Sequence, residues 1–139
     1  MQMTPYLNFE GNCREAFEFY RGVLNGEITG ILTYGDSPMC DEIPSESHDQ
    51  VMHAHLIADG AELMGSDGPP PEAGTKPSAR VALNLDTAAE AERVYAAFSE
   101  GAEVQMELQE MFWAERFAML TDRFGTAWII NGNLKEEQR

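Results

Sequence analysis

His53 and His55 stand two positions apart in an otherwise apolar run, Val51 to Ala58. Alternate residues of a strand share a face, so both imidazoles can point at one ion or one ligand. The competing reading is local hydrogen bonding on a half-buried strand, because no carboxylate sits at a defined spacing from them. His48 falls in an acidic stretch and is expected to be solvated. Glu62 and Asp67 come near the same sheet end, where such carboxylates serve solubility in an acidic chain. The densest aromatic and cationic cluster is Phe112, Trp113, Arg116 and Phe117, flanked by Met106, Met111 and Met119. Its rings and guanidinium can stack on a small ligand, or fill a core or a dimer contact. Arg80 can pair a carboxylate or phosphate of a ligand, or one of the chain's own acids. Nucleophilic catalysis has no signature: Ser37, Ser47, Ser66 and Ser78 lack a Gly-x-Ser-x-Gly context, and neither Cys13 nor Cys40 has a recognisable base partner.

The chain that must position these groups has 139 residues, 43% apolar and 24% charged, enough for one compact domain of two half-sized modules. Asp and Glu number 24 against 9 Lys and Arg, a net charge of −15 that repels polyanions. Nucleic acid and acidic membranes are therefore excluded as expected partners. No apolar run approaches the roughly 18 residues that span a bilayer, and Met1 to Leu7 has no signal-peptide pattern, so a cytoplasmic location is expected. With two cysteines and a sizeable core, no disulfide framework is indicated.

A hidden repeat organises the chain. Leu7-Asn8-Phe9-Glu10 recurs as Leu83-Asn84-Leu85-Asp86, each with the alternation of a half-buried strand. Each then enters a helix. Asn12 with Glu15, and Thr87 with Glu90, have capping-box spacing. Ala16, Phe17, Tyr20, Val23 and Leu24 line one helix face, and Ala91, Val94, Tyr95 and Phe98 the other; Gly26 and Gly101 are expected to end the helices in the left-handed conformation. Extended segments follow, at Glu27 to Tyr34, Val51 to Ala58 and Ala61 to Ser66, then at Ala102 to Leu108, Arg116 to Thr121 and Ala127 to Asn131. Gly60 and Gly125 mark the tight turns before each last strand. The expected architecture is α+β, two tandem βαβββ modules at 1–67 and 79–139. A Pro-rich linker at 68–78 joins them, and an acidic loop from Gly35 to Gln50 is expected to bury little. With Leu7 and Phe9 facing a helix, alternation sends Thr4, Tyr6 and Asn8 to the opposite face, and Arg80, Ala82 and Asn84 to the matching one.

These residues resemble the vicinal oxygen chelate superfamily of glyoxalase I, bleomycin-resistance proteins and extradiol dioxygenases, built from paired βαβββ modules. The match is narrower with its PhnB-like branch, through Pro5-Tyr6-Leu7-Asn8-Phe9-Glu10-Gly11-Asn12, Met52-His53-Ala54-His55-Leu56, Phe112-Trp113 and Thr121-Asp122-Arg123-Phe124-Gly125-Thr126-Ala127-Trp128. In the branch's usual closing pattern a Pro and a His stand where this chain has Arg123 and Thr126. The resemblance implies curved mixed sheets with a concave cavity, homodimers, and a divalent metal held by the first and last strands of each module. Aligning the modules puts those ligand positions at Thr4, Arg80, Met64 and Ile129. A hydroxyl, a guanidinium, a thioether and an alkyl group are poor donors, where a catalytic site wants about three imidazole, carboxylate or thiolate ligands. Some relatives carry a demethylubiquinone methyltransferase label, but the chain has no Gly-rich strand-to-helix turn for a methyl donor.

The expectation is therefore a metal-independent, cofactor-free homodimer that binds a small polar or aromatic molecule in a sheet cavity lined by Tyr6, Asn8, Arg80, Trp113 and Arg116. The alternative is a metal-dependent lyase, isomerase or dioxygenase with displaced ligands such as His53 and His55. A dimeric interaction protein with a filled cavity is the third reading.

Overall fold

The computed structural model describes residues 1–69, 73–74 and 78–135. Two compact units emerge, Met1–Thr75 and Lys76–Arg139. Of the expected linker at 68–78, residues 70–72 and 75–77 lie outside the described residues.

The first unit runs β1 (Tyr6–Phe9), α1 (Cys13–Leu24), β2 (Glu27–Thr33), β3 (Val51–Ala58) and β4 (Ala61–Asp67). The second repeats the order as β5 (Val81–Leu85), α2 (Ala88–Phe98), β6 (Glu103–Met111), β7 (Ala114–Thr121) and β8 (Ala127–Leu134). The sheets are ordered β1-β4-β3-β2 and β5-β8-β7-β6, with the first pair of each parallel and the rest antiparallel. The expected βαβββ duplication is what forms, with β6, β7 and β8 reaching beyond their expected bounds.

In each unit the helix covers one face of its own sheet, and the apolar alternation is buried there. Phe9, Phe17, Tyr20, Ala54 and Leu56 form the first core, with Phe9 edge-on to Phe17 at 6.2 Å. Val94, Phe98, Leu120, Trp128 and Ile130 form the second, with Phe98 and Trp128 5.0 Å apart. Glycines set how closely the helices sit. A Cβ on Gly65 would stand 2.8 Å from the Phe17 ring, and one on Gly132 would stand 2.5 Å from Ala91 Cβ.

Three local expectations are corrected. Asn12 makes no side-chain cap to α1; instead Asp67, from the end of β4, accepts the Gly11 N–H at 2.8 Å and the Cys13 N–H at 3.0 Å. A carboxylate delivered by the parallel partner of β1 reaches the helix start, so the local cap is not needed. Thr87 does cap α2, accepting from the Glu90 N–H at 3.1 Å. At the far end of α1 it is Asn25, not Gly26, that turns left-handed, with φ 53°. Gly26 is required for space: a Cβ there would meet the Ile57 carbonyl at 2.9 Å. Gly101, Gly60 and Gly125 take positive φ as expected. The third correction concerns His48, which is half-buried rather than solvated. Its Nε2 lies 3.0 Å from the carbonyls of both Cys40 and Ile43, pinning the acidic loop into two short 3₁₀ turns.

Both cysteines are free, but unlike. Cys13 is fully buried, and burial, reinforced by the neighbouring Asp67 charge, pushes its thiol up to about 12. Cys40 is partly exposed. A disulfide reagent such as Ellman's should therefore titrate a single thiol in the native protein at pH 8, lost in Cys40→Ser, with Cys13 reacting only after denaturation. Rapid reaction of both would contradict the burial of Cys13. Among the described residues no helix is long and apolar enough to cross a membrane.

Candidate functional site

Each sheet has a face away from its helix, and the two faces carry the same register. Across the first runs the row Tyr6, Met64, His55, Gly30; across the second, the row Ala82, Ile129, Met119, Met106. Met64 and Ile129 thus occupy equivalent places, which agrees with the module alignment. Thr4 and Arg80 lie two residues before their partners Tyr6 and Ala82 on the first strands. The donor types at these four positions do not suit a divalent cation: thioether and alkyl groups are weak or null ligands, and a guanidinium repels one.

On the first face Tyr6 is 46% exposed, Asn8 is exposed, and the Tyr6 ring lies 6.0 Å from that of His53. His55 is held at both nitrogens. Its Nε2 meets Glu62 Oε1 at 2.9 Å, and its Nδ1 meets Thr29 Oγ1 at 2.7 Å. Gln2 donates to the other Glu62 oxygen. Glu62 is therefore a partner of His55 rather than a free surface charge, and a metal at His55 would have to displace Glu62 or Thr29. Among the described residues no group of three His, Cys, Asp or Glu side chains is arranged to hold an ion. Asp67 also departs from its expected role. It is 2% exposed and accepts three main-chain N–H groups, from Gly11, Cys13 and, at 2.8 Å, Val51.

The second face has a cationic end and an aromatic end. Arg80, just ahead of β5, reaches across the strands: Nη1 donates to Gln105 Oε1 at 3.3 Å and to the carbonyls of Leu120 and Trp128 at 3.4 Å. Gln105 Nε2 in turn donates to Thr121 Oγ1 at 3.3 Å. Every acceptor of Arg80 is neutral, and among the described residues no carboxylate lies within 4.0 Å of it. Next along the face come Ile129 and Met119, then Asn131, which pairs in register with Asn84 on one side and Phe117 on the other. Trp113 closes this end, edge-on to Phe117 at 5.1 Å and to the exposed Phe112 at 4.8 Å.

Arg116 does not join this group. The alternation along β7 that turns Phe117 and Met119 to the open face turns Arg116 to the helix face, where its Nε pairs with Glu92 of α2 at 3.3 Å. Gln105 and Asn131, which the sequence reading did not single out, are on the open face. The signal that finds them is the strand register, since Asn131 lies directly opposite Asn84 across a parallel pair.

The family model described as 3-demethylubiquinone-9 3-methyltransferase matches residues 1–131. Protein PA1353 from Pseudomonas aeruginosa is similar in structure with a TM-score of 0.83 and 46% identity, covering 94% of this chain and 96% of that one. A Bacillus cereus PhnB protein, described as a putative 3-demethylubiquinone-9 3-methyltransferase, has a TM-score of 0.78 and 26% identity over 94% of this chain and 98% of its own. The fosfomycin resistance protein FosX from Listeria monocytogenes shares the fold, with a TM-score of 0.69 at 11% identity over 100% of this chain and 98% of that one.

Proposed function

The chain belongs to the PhnB-like 3-demethylubiquinone-9 3-methyltransferase family of the vicinal oxygen chelate superfamily, and from that premise we propose that it binds a small anionic or polar molecule, without a metal, on the open face of the second sheet. Arg80 anchors the ligand and the Trp113–Phe117 end borders it. Methyl transfer is not part of this reading, since the turns that lead into the helices, Glu10-Gly11-Asn12 and Asp86-Thr87, offer no glycine-rich cradle for a methyl donor.

One observation carries the proposal. In a chain with a net charge of −15, a guanidinium on an open sheet face meets only neutral acceptors. A charge that was merely structural would be expected to find one of the many carboxylates. Held instead by an amide and two carbonyls, it keeps its charge for an incoming oxyanion.

The test is a thermal-shift screen of small carboxylates, phosphates and neutral aromatics, followed by calorimetry on the hits. Arg80→Gln is expected to weaken binding of an anionic hit about ten-fold or more, while circular dichroism stays unchanged. Equal affinity in the variant would sink the role of Arg80. Elemental analysis of the purified protein decides the other half. A stoichiometric Zn, Ni, Mn or Fe that survives dialysis would favour a metal-dependent lyase, isomerase or dioxygenase using displaced ligands such as His53 and His55. Homodimerisation belongs to the same proposal, and light scattering should return twice the chain mass of 15.5 kDa.

A further inference from the structure

We propose that Asn131 is a specificity-determining acceptor on this face, selecting small aromatic oxyanions that carry a hydroxyl or amino donor opposite their charged group. The inference rests on the ligand site just proposed and names the class of molecule it takes. Asn131 is only 9% exposed, and its Nδ2 donates to Asn84 Oδ1 at 3.0 Å, which fixes the amide's orientation. Its Oδ1 is buried and has no hydrogen-bond partner among the described residues. A desolvated carbonyl oxygen without a donor is costly to the free protein, and such exceptions call for a reason. A donor supplied by a ligand removes the cost only when the site is filled.

The spacing sets the ligand's shape. Arg80 reaches the sheet at the Leu120 and Trp128 pair, and Asn131 lies three residues further along β8, on the order of 10 Å away at the usual strand rise. Hydrogen bonds of about 2.9 Å that slant up from the sheet, each taking about 2 Å off that span, leave on the order of 6 Å between the ligand's oxyanion and its donor, the length of one substituted ring. Between them the floor is Ile129 and Met119, an alkyl group and a thioether that suit an aromatic ring. A ligand with the charge alone would satisfy Arg80 and leave Asn131 Oδ1 unpaired.

The experiment compares 4-hydroxybenzoate, benzoate and 4-methoxybenzoate by titration calorimetry on the wild-type chain and on Asn131→Leu, with Asn131→Ala as the second variant should leucine not be accommodated. Wild type is expected to bind 4-hydroxybenzoate about five-fold or more tighter than the two acids without a donor. Either variant should erase that preference and leave benzoate affinity within about two-fold. In the absence of ligand Asn131→Leu should melt no lower than wild type, because it removes an unsatisfied buried oxygen; a purely structural asparagine would instead lower the melting temperature. Equal wild-type affinity for all three acids, a preference that survives in the variants, or no binding by any of them overturns the inference. Binding of benzoate that depends on Arg80 but not on Asn131 leaves the ligand site standing and removes only its selectivity. Hits confined to other anions in the wider screen do the same.

Discussion

Replacing Asp67 by Ala should cost the protein about 3–5 kcal/mol, several times the loss from a typical substitution. Its two oxygens gather three main-chain N–H groups, from Gly11, from Cys13 at the start of α1, and from Val51 at the start of β3, at 2.8 to 3.0 Å. Those donors come from two stretches of chain, the turn between β1 and α1 and the start of β3. With the carboxylate gone, the Cys13 and Val51 N–H groups stay buried without acceptors at about 1–3 kcal/mol each, while the half-exposed Gly11 N–H can turn to water. Asp67→Asn should lose nearly as much, because one oxygen becomes an NH₂ group facing a donor. Urea unfolding reads the loss, and hydrogen exchange should quicken first at the Cys13 and Val51 amides. A change below about 1 kcal/mol would mean that water can reach all three donors.

Gly132→Ala should be the other strongly destabilising change, at about 2–3 kcal/mol, although it adds a single methyl group. The new Cβ would stand 2.5 Å from Ala91 Cβ, 3.1 Å from the Thr87 carbonyl and 3.4 Å from Ala88 Cα. None of these atoms belongs to a long side chain that can swing away, so α2 has to shift from β8 and carry Val94 and Phe98 out of register with Trp128 and Ile130. The double variant Gly132→Ala with Ala91→Gly tests the cause. It should recover part of the loss, reduced by about 1 kcal/mol for a glycine inside a helix. Additive losses in the double variant would place the strain elsewhere.

The duplication was legible because it depends on short-range pattern: alternating strands, helical spacing, and turn glycines whose φ is positive where the chain reverses. The cap of α2 was legible for the same reason, since Thr87 and Glu90 are three residues apart. The cap of α1 was not, because its acceptor is Asp67, more than fifty residues away in sequence and beside the helix only once β4 pairs with β1. Glu62 escaped in a similar way. It lies seven residues from His55 across the β3–β4 turn, and only the register makes them partners. Arg116 was grouped with Trp113 by closeness in sequence, yet strand alternation puts it on the opposite face from Phe117.

Local chemistry alone thus settles that this chain forms two βαβββ modules and which face of each strand is apolar. Those are properties of residue type and periodicity, read over a few positions at a time. Only tertiary pairing decides that Arg80 meets three neutral acceptors rather than a carboxylate, and that Asn131 pairs with Asn84 and keeps one buried oxygen without a partner among the described residues. Strand register and side-chain reach bring together groups tens of residues apart, and the free energy of a charge or a buried amide depends on what then stands within hydrogen-bonding distance.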